Sequence, residues 1–373
     1  MQRKTIYVFV SSDLVTDNRV AKTCEELHIL GHRVILVGRR KKKSPEMTER
    51  PYQTMRLKTY IEKGALFYAS LNLRLFFLLL FRRVDGVYAN DLDTLLPAYL
   101  ISRIKKIPLI YDSHELFTEV PELIERPKIR SIWLRIEKSI FPKLTHIITV
   151  NKSIASIYEK IYGKDITVVR NVPKIYTSQN ASRKALGLPE DKFIVIIQGS
   201  GLNIGRGIEE AVKAMIGLEN VLLLIVGDGD AIPASKEIVQ KNKLENQVIY
   251  VSRVPYLSMM QYTEIADLGL SLDKPIGLNY AFSLPNKIFD YLHASTPILC
   301  TNLQEVARIV HTYQCGIILP ELSIENLRSE IQKLTLNKPE LDIMKNNCLT
   351  AAQKENWEKE KIALISLIQR AFS

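Results

Sequence analysis

The chain has 373 residues, 46% hydrophobic and 24% charged, the make-up of an ordinary globular protein long enough for about two domains. Its four cysteines, Cys24, Cys300, Cys315 and Cys348, form no CxxC pair, which argues against a structural zinc site and a disulfide framework and fits a reducing, cytoplasmic setting. The net charge of +11 belongs to one half: residues 1–170 carry 30 Lys and Arg against 18 Asp and Glu, and the remainder 21 against 22.

The first half reads as strand, helix, strand, helix. Residues 6–10 are a short apolar run, with no signal-peptide pattern before them. Residues 17–30 read as a helix ended by Gly31, and strands are expected at 34–37, 84–89, 109–111 and 147–150. A basic run, Arg39-Arg40-Lys41-Lys42-Lys43, follows the second strand. The longest apolar run, residues 75–81, is far too short to span a bilayer and is flanked by Arg74, Arg82 and Arg83. A basic, apolar helix of this kind can lie in a membrane interface, held by anionic lipid; the alternative is a buried helix with snorkelling ends. No zinc-finger, RNP or other nucleic-acid pattern occurs, so nucleic acid is not an expected partner.

Polar clusters follow two of these strands. Asn90-Asp91-Leu92-Asp93 contains a DxD pair, which chelates manganese in metal-dependent sugar-transferring folds. Here the pair opens a helix, and we read both aspartates as cap and dipole partners, with no metal expected. Asp112-Ser113-His114-Glu115 stands at a strand's carboxyl end, where sites form in parallel sheets. No HExxH, EF-hand or GxSxG pattern is present.

The second half repeats the plan. Strands are expected at 193–197, 221–226, 248–251, 268–272 and 298–300, with a helix from 208 to 215 and a last amphipathic helix at 357–372. Short apolar runs alternating with helices indicate two doubly wound α/β domains of parallel βαβ units. Their expected extents are 1–170 and 171–355, with residues 356–373 as a helix crossing back to the first domain. The natural ligand position is the cleft between two such domains.

Residues 199–207 read Gly-Ser-Gly-Leu-Asn-Ile-Gly-Arg-Gly, after a strand and before a helix, the context of a phosphate-cradling turn. A dinucleotide fingerprint needs glycine where Ile204 stands, and no acidic ribose partner follows at the expected distance. We read Gly199, Ser200, Gly201 and Arg206 as a diphosphate loop, a purely structural turn being the alternative, and Gly227 in Gly227-Asp228-Gly229-Asp230 as part of a cleft-edge turn, for which a structural turn is at least as good a reading as a ligand contact. Ser283-Leu284-Pro285-Asn286-Lys287 opens a helix, with Pro285 expected as its first residue. Lys287 and Asp290, three apart on an expected exposed face, can meet a diphosphate and a sugar hydroxyl; the plainer alternative is a solvated Lys–Asp pair.

In this order and spacing the segments resemble glycosyltransferase family 4, the retaining group 1 glycosyltransferases of the GT-B fold. The resemblance runs through residues 17–20, 31–34, 89–94, 111–116, 171–173, 198–200, 205–207, 226–229, 266–267 and 283–292. It implies two Rossmann-like domains facing a cleft, and transfer of a hexose-type sugar from a UDP- or GDP-type donor to a glycan or lipid-linked acceptor in cell-surface polysaccharide synthesis. It also implies that Arg206 and Lys287 hold the diphosphate, that Asp290, with Ser283, Leu284 and Asn286 beside it, serves the nucleotide, and that His114 meets the transferred sugar. The donor sugar is a substrate, and no cofactor is implied. With the basic first half, the resemblance places the protein in the cytoplasm, peripheral to the inner face of the cell membrane. Phe282 stands where the family's first glutamate is expected, and Ser200 where an arginine is expected. A sugar-nucleotide epimerase of the same fold and a catalytically silent nucleotide-sugar-binding subunit therefore stay open.

Overall fold

The computed structural model describes every residue except Met1, Gln2, Thr16, Lys43 and Pro45, so the last lysine of the basic run lies outside the described residues. The chain divides into two compact units, Met1–Asn171 with Glu360–Ser373, and Val172–Lys359.

The first unit is built on a seven-stranded sheet of β1 (Thr5–Asp13), β2 (Arg33–Arg40), β3 (Gln53–Lys58), β4 (Gly86–Asn90), β5 (Leu109–Ser113), β6 (His146–Thr149) and β7 (Thr167–Val168). Its spatial order is β3-β2-β1-β4-β5-β6-β7 and every pairing is parallel. The second unit holds β8 (Phe193–Gly199), β9 (Val221–Gly227), β10 (Val248–Val251), β11 (Leu268–Ser271), β12 (Ile298–Thr301) and β13 (Gly316–Leu319), ordered β10-β9-β8-β11-β12-β13, again all parallel. Parallel sheets are covered by helices on both faces, which is why the central strands are continuous apolar runs. Residues 6–10, 194–197 and 221–226 are buried throughout. These are the two doubly wound Rossmann-like sheets of the GT-B class. Strands β3, β7 and β13 were not expected from the sequence, and β4 starts at Gly86 rather than at Val84.

In each unit the strand order reverses beside the first strand, between β1 and β4 and between β8 and β11. At such a reversal the following loops turn to opposite faces and leave a crevice beyond the carboxyl ends of the strands. Local signals set the flanking helices. Asp17 accepts the Val20 N–H at 3.1 Å to cap the helix Asn18–Ile29, and Asn151 accepts the Ile154 N–H at 2.9 Å to cap Lys152–Tyr162.

Most of the last helix, Trp357–Phe372, belongs to the first unit, which takes in Glu360–Ser373. Glu360 receives the Arg170 backbone N–H at 2.6 Å and its guanidinium at 2.7 Å. The buried Phe372 ring lies over Gly86, where a Cβ would fall 2.4 Å from the ring, and edge-on to His32 at 5.9 Å. Glycine at the start of β4 is thus what admits the terminal aromatic. Phe372→Ala should destabilise the first unit by about 3–5 kcal/mol, the range for emptying a buried aromatic site. Urea unfolding followed by circular dichroism measures it, and a loss under about 1 kcal/mol would show that the ring does not contribute to this core.

Candidate functional site

Two polar clusters stand at the carboxyl ends of the sheets. In the second unit, β8 runs into the loop Gly199-Ser200-Gly201, with Ser200 and Gly201 exposed, and β9 ends at Gly227. The two loops pack on each other: the Leu202 N–H donates to the Asp228 carbonyl at 2.9 Å, and the Ala231 N–H to the Leu202 carbonyl at 3.2 Å. Gly227 has φ 132°, and a Cβ there would lie 1.9 Å from the Gly199 carbonyl oxygen. Close backbone approach of the two strand ends is what this glycine serves.

Beyond β11 stands Asp273, fully buried. The Ser271 hydroxyl donates to its carboxylate at 3.2 Å, and the Thr301 hydroxyl donates to its backbone carbonyl at 2.7 Å. Two cations converge on that carboxylate. Arg206, from the loop before the helix Ile208–Ala214, bonds one oxygen, and the Lys287 ammonium lies 3.4 Å from the other. The structure therefore brings the sequence-predicted Arg206 and Lys287 together, and it does so through a residue that was not predicted. Burial would raise the Asp273 carboxyl, but Lys287 and Arg206 outweigh it and hold the group below its ordinary range. Burial pulls the Lys287 ammonium below the usual lysine value, with Asp273 opposing and Arg206 adding to the drop. For Arg206 the contact with Asp273 outweighs burial and keeps the guanidinium charged. That guanidinium sits 4.4 Å over the Tyr280 ring, and its Nε is buried without a hydrogen-bond partner.

The helix carrying Lys287 runs Asn286–His293, so Pro285 is its cap residue rather than its first residue. Ser283 does not cap it; its hydroxyl donates to the Tyr280 carbonyl at 2.9 Å. Leu284 is half-buried and Asn286 is exposed. The expectation of an exposed Lys–Asp face is overturned. Lys287 is 8% exposed and Asp290 is 7% exposed, because every residue from 287 to 293 packs inward. Asp290 accepts the Tyr256 hydroxyl at 2.9 Å and the Gln198 amide at 3.4 Å, and this carboxylate raises the Tyr256 phenol further than burial already does. Phe282 ends the short helix Gly277–Ala281 and Ser200 stays in the exposed loop, so neither position brings a charge.

In the first unit His114 follows β5. Its Nδ1 lies 3.3 Å from Asp91 and its Nε2 3.5 Å from Asp112, while its backbone N–H donates to Asp91 at 2.8 Å. Asp112 is buried; it takes Arg19 through Nη2 at 2.7 Å and Nε at 3.2 Å, and the Tyr88 hydroxyl at 2.8 Å. The remaining Arg19 amino group donates to the Val169 carbonyl at 2.7 Å. Burial opposes protonation of His114, but Asp91 and Asp112 outweigh it and push the imidazole up to about 9. At neutral pH it is a cation with donors only. Asp112 is held far below the carboxylate range, because Arg19 and His114 overcome the effect of burial.

This geometry corrects the reading of the DxD pair. Asp91 occupies the cap position of the helix Leu92–Lys105, but its side chain makes no cap bond and goes to His114 instead. Its backbone, at φ 60° and ψ 164°, lies where residues other than glycine are rarely found. Asp93 does stand in the first turn; its buried carboxyl takes the Ser11 hydroxyl and is pushed up to about 7 by burial and by Asp91. Among the described residues no group of three or more His, Cys, Asp or Glu is arranged to hold a metal ion. Asp273 had a signal in the sequence: it follows an apolar run as closely as Asp112 does, the placement that singled out Asp112.

Two family models match the chain: "Glycosyltransferase Family 4" over residues 17–172 and "Glycosyl transferases group 1" over residues 178–351. Among solved structures the chain is similar to sucrose-phosphate synthase from Thermosynechococcus elongatus, at 18% identity and TM-score 0.83 over 99% of each chain. It is also similar to HepE from Anabaena in complex with UDP-glucose, at 15% identity and TM-score 0.74 over 98% of this chain and 100% of that one. WaaG, a glycosyltransferase involved in lipopolysaccharide biosynthesis, matches at 15% identity and TM-score 0.71 over 97% and 98%. At these identities the likeness is one of fold. No curated protein matches the chain in sequence.

The state of His114 has a measurable consequence. Because its folded value is raised, its contribution to stability is complete below the ordinary 6.5 and is lost as pH climbs through about 9. The melting temperature should therefore fall across that window, and His114→Asn should flatten the fall. Parallel slopes for the two proteins would show that the ring does not titrate there.

Proposed function

The chain belongs to the group 1 glycosyltransferases, and from that premise we propose that it moves a hexose-type sugar, with retention, from a UDP- or GDP-type donor to a glycan or lipid-linked acceptor in cell-surface polysaccharide synthesis. The observation that carries the reading is the pair Arg206 and Lys287, held side by side on buried Asp273. Two cations against one internal carboxylate leave an excess positive charge for an incoming diphosphate. As the sugar–phosphate bond breaks, charge grows on the departing nucleotide, and cations fixed in advance stabilise it without reorganising. The Gly199–Gly201 loop offers backbone N–H groups to the phosphates, and Asp290 is the acceptor for ribose hydroxyls. His114, as an imidazolium, donates to the transferred sugar rather than acting as a base. The HepE structures, solved with UDP and with UDP-glucose, support a nucleotide-sugar donor.

A silent nucleotide-sugar-binding subunit is the second reading, favoured by Phe282 and Ser200 at positions where charged groups are expected. One assay separates the two. With a donor panel, wild type should transfer or hydrolyse sugar in EDTA, since in this reading Arg206, Lys287 and the helix end meet the phosphate charge. Lys287→Ala should lower kcat/KM at least about tenfold, the lower end for a charge-assisted phosphate contact. Nucleotide binding without any turnover would favour the silent subunit, and an unchanged kcat/KM would remove Lys287 from the site.

We also propose peripheral attachment to the inner face of the cell membrane. The helix Ala65–Leu80 buries Phe67, Leu71, Leu75 and Leu79, and leaves Leu66, Leu73 and Phe77 exposed, with Phe81 beyond its end exposed as well. Residues 65–83 contain Arg74, Arg82 and Arg83 and no acidic residue, which suits an anionic lipid surface. No helix among the described residues is long and apolar enough to cross a membrane. Leu73→Ser with Phe77→Ser should reduce co-sedimentation with anionic vesicles, and high salt should weaken what remains. Binding equal to wild type would dismiss the helix as the anchor.

A further inference from the structure

At the end of the first sheet opposite to His114 lies a cleft of about 500 Å³. It is framed by the first residues of three neighbouring parallel strands, Thr5 of β1, Arg33 of β2 and Gln53 of β3, together with Tyr7, Arg82 and Arg83. None of its lining residues is acidic. The Arg33 guanidinium donates to the Gln53 side-chain oxygen at 3.2 Å. Lys105 donates to the Arg82 carbonyl at 2.8 Å and fixes that segment. Asp85, the nearest acid in sequence, is already engaged, its carboxylate accepting the Thr5 N–H at 2.8 Å. Neither Arg82 nor Arg83 has a carboxylate partner among the described residues.

Three exposed guanidinium groups, of Arg33, Arg82 and Arg83, stand around one hollow whose lining also includes Tyr7, Ile35 and Met55. As partners of a helix dipole, Arg82 and Arg83 would need neither a cleft nor Arg33. Solvated surface arginines would likewise gain nothing from Gln53, Thr5 and Tyr7 being gathered beside them. Arginine's planar fork matches phosphate oxygens bidentately, and the neutral hydroxyl and amide groups suit the polar body that carries the phosphate. The volume lies in the range of small-ligand sites.

We propose that this cleft binds a phosphate group, as a second anion site at the opposite end of the sheet from His114. The proposal goes beyond the transferase reading; its lipid form rests on the membrane reading, which already uses Arg82 and Arg83, and Arg33, which that reading does not use, tells the two apart. Two sources offer the same chemistry. One is the headgroup of an anionic lipid, which the exposed Phe81 next to Arg82 would accompany. The other is a soluble phosphorylated compound.

Two probes distinguish the sources: glycerol 3-phosphate, followed by calorimetry at low salt, and vesicles of phosphatidylglycerol set against phosphatidylcholine. The test variant is Arg82→Ala with Arg83→Ala, and Arg33→Gln is a second. The charge control is Arg103→Ala with Lys106→Ala, two exposed residues at another helix end of the same unit. Lys287→Ala removes the donor cation. The cleft variants should weaken binding of the phosphate probe at least about tenfold, while the charge control and Lys287→Ala leave it nearly unchanged. Loss of glycerol 3-phosphate binding identifies a soluble ligand as sufficient. Loss of vesicle binding in Arg33→Gln as well as in Arg82→Ala with Arg83→Ala, in a protein that never takes up glycerol 3-phosphate, identifies the lipid headgroup; loss in the Arg82, Arg83 variant alone would overturn the cleft and leave only the membrane reading. Wild type binding neither probe, cleft variants that bind as wild type, or an equal loss in the charge control would each overturn the proposal. The Leu73→Ser, Phe77→Ser protein should keep its glycerol 3-phosphate binding, so failure of the membrane reading remains visible separately.

Discussion

In each unit a buried carboxylate at the carboxyl end of a strand sits between two cations. Asp273 lies between Arg206 and Lys287, and Asp112 between Arg19 and His114. A lone charge cannot be buried without neutralising or finding partners. Each aspartate therefore draws in cations from distant parts of the chain and fixes their positions. Asp112 gathers Arg19 from the first helix, Tyr88 from β4 and His114 from the loop after β5. Asp273 gathers Arg206 and Lys287, which are separated by 81 positions in the sequence.

The two triads differ in what they do to their cations. His114 has carboxylates on both sides of its ring and becomes a durable cation. Lys287 shares a single carboxylate with Arg206 in a buried place, so its charge is sustained chiefly by Asp273. One unit therefore holds a charge that resists deprotonation, and the other a charge dependent on one partner. The backbone of Asp91, in a region that favours glycine, is held there by its bonds to His114; such a conformation persists only where the surroundings over-determine it.

The parallel strands were legible because burial on both faces writes them as uninterrupted apolar runs, as in residues 6–10 and 221–226. The missed strands are those that burial does not write. β3 alternates polar and apolar residues along the sheet's edge, β7 is two residues long, and β13 is a four-residue edge strand. Arg206, Lys287 and His114 stood out because each follows a strand or opens a helix, where backbone geometry gathers ligands. Asp91 misled because cap position and cap bonding are separate properties, and the side chain was taken by a partner 23 residues away.

The sequence by itself determined the two doubly wound sheets and the family, and it singled out Arg206, Lys287 and His114 though not Asp273, because periodicity and order along the chain are local properties. Only the tertiary structure decided that Lys287 and Asp290 are buried, that Asp273 joins Arg206 to Lys287, and that Arg33 meets Arg82 and Arg83 at one hollow. A charged side chain's partner is set by which strands lie side by side, and in a parallel sheet those neighbours come from far apart in the chain.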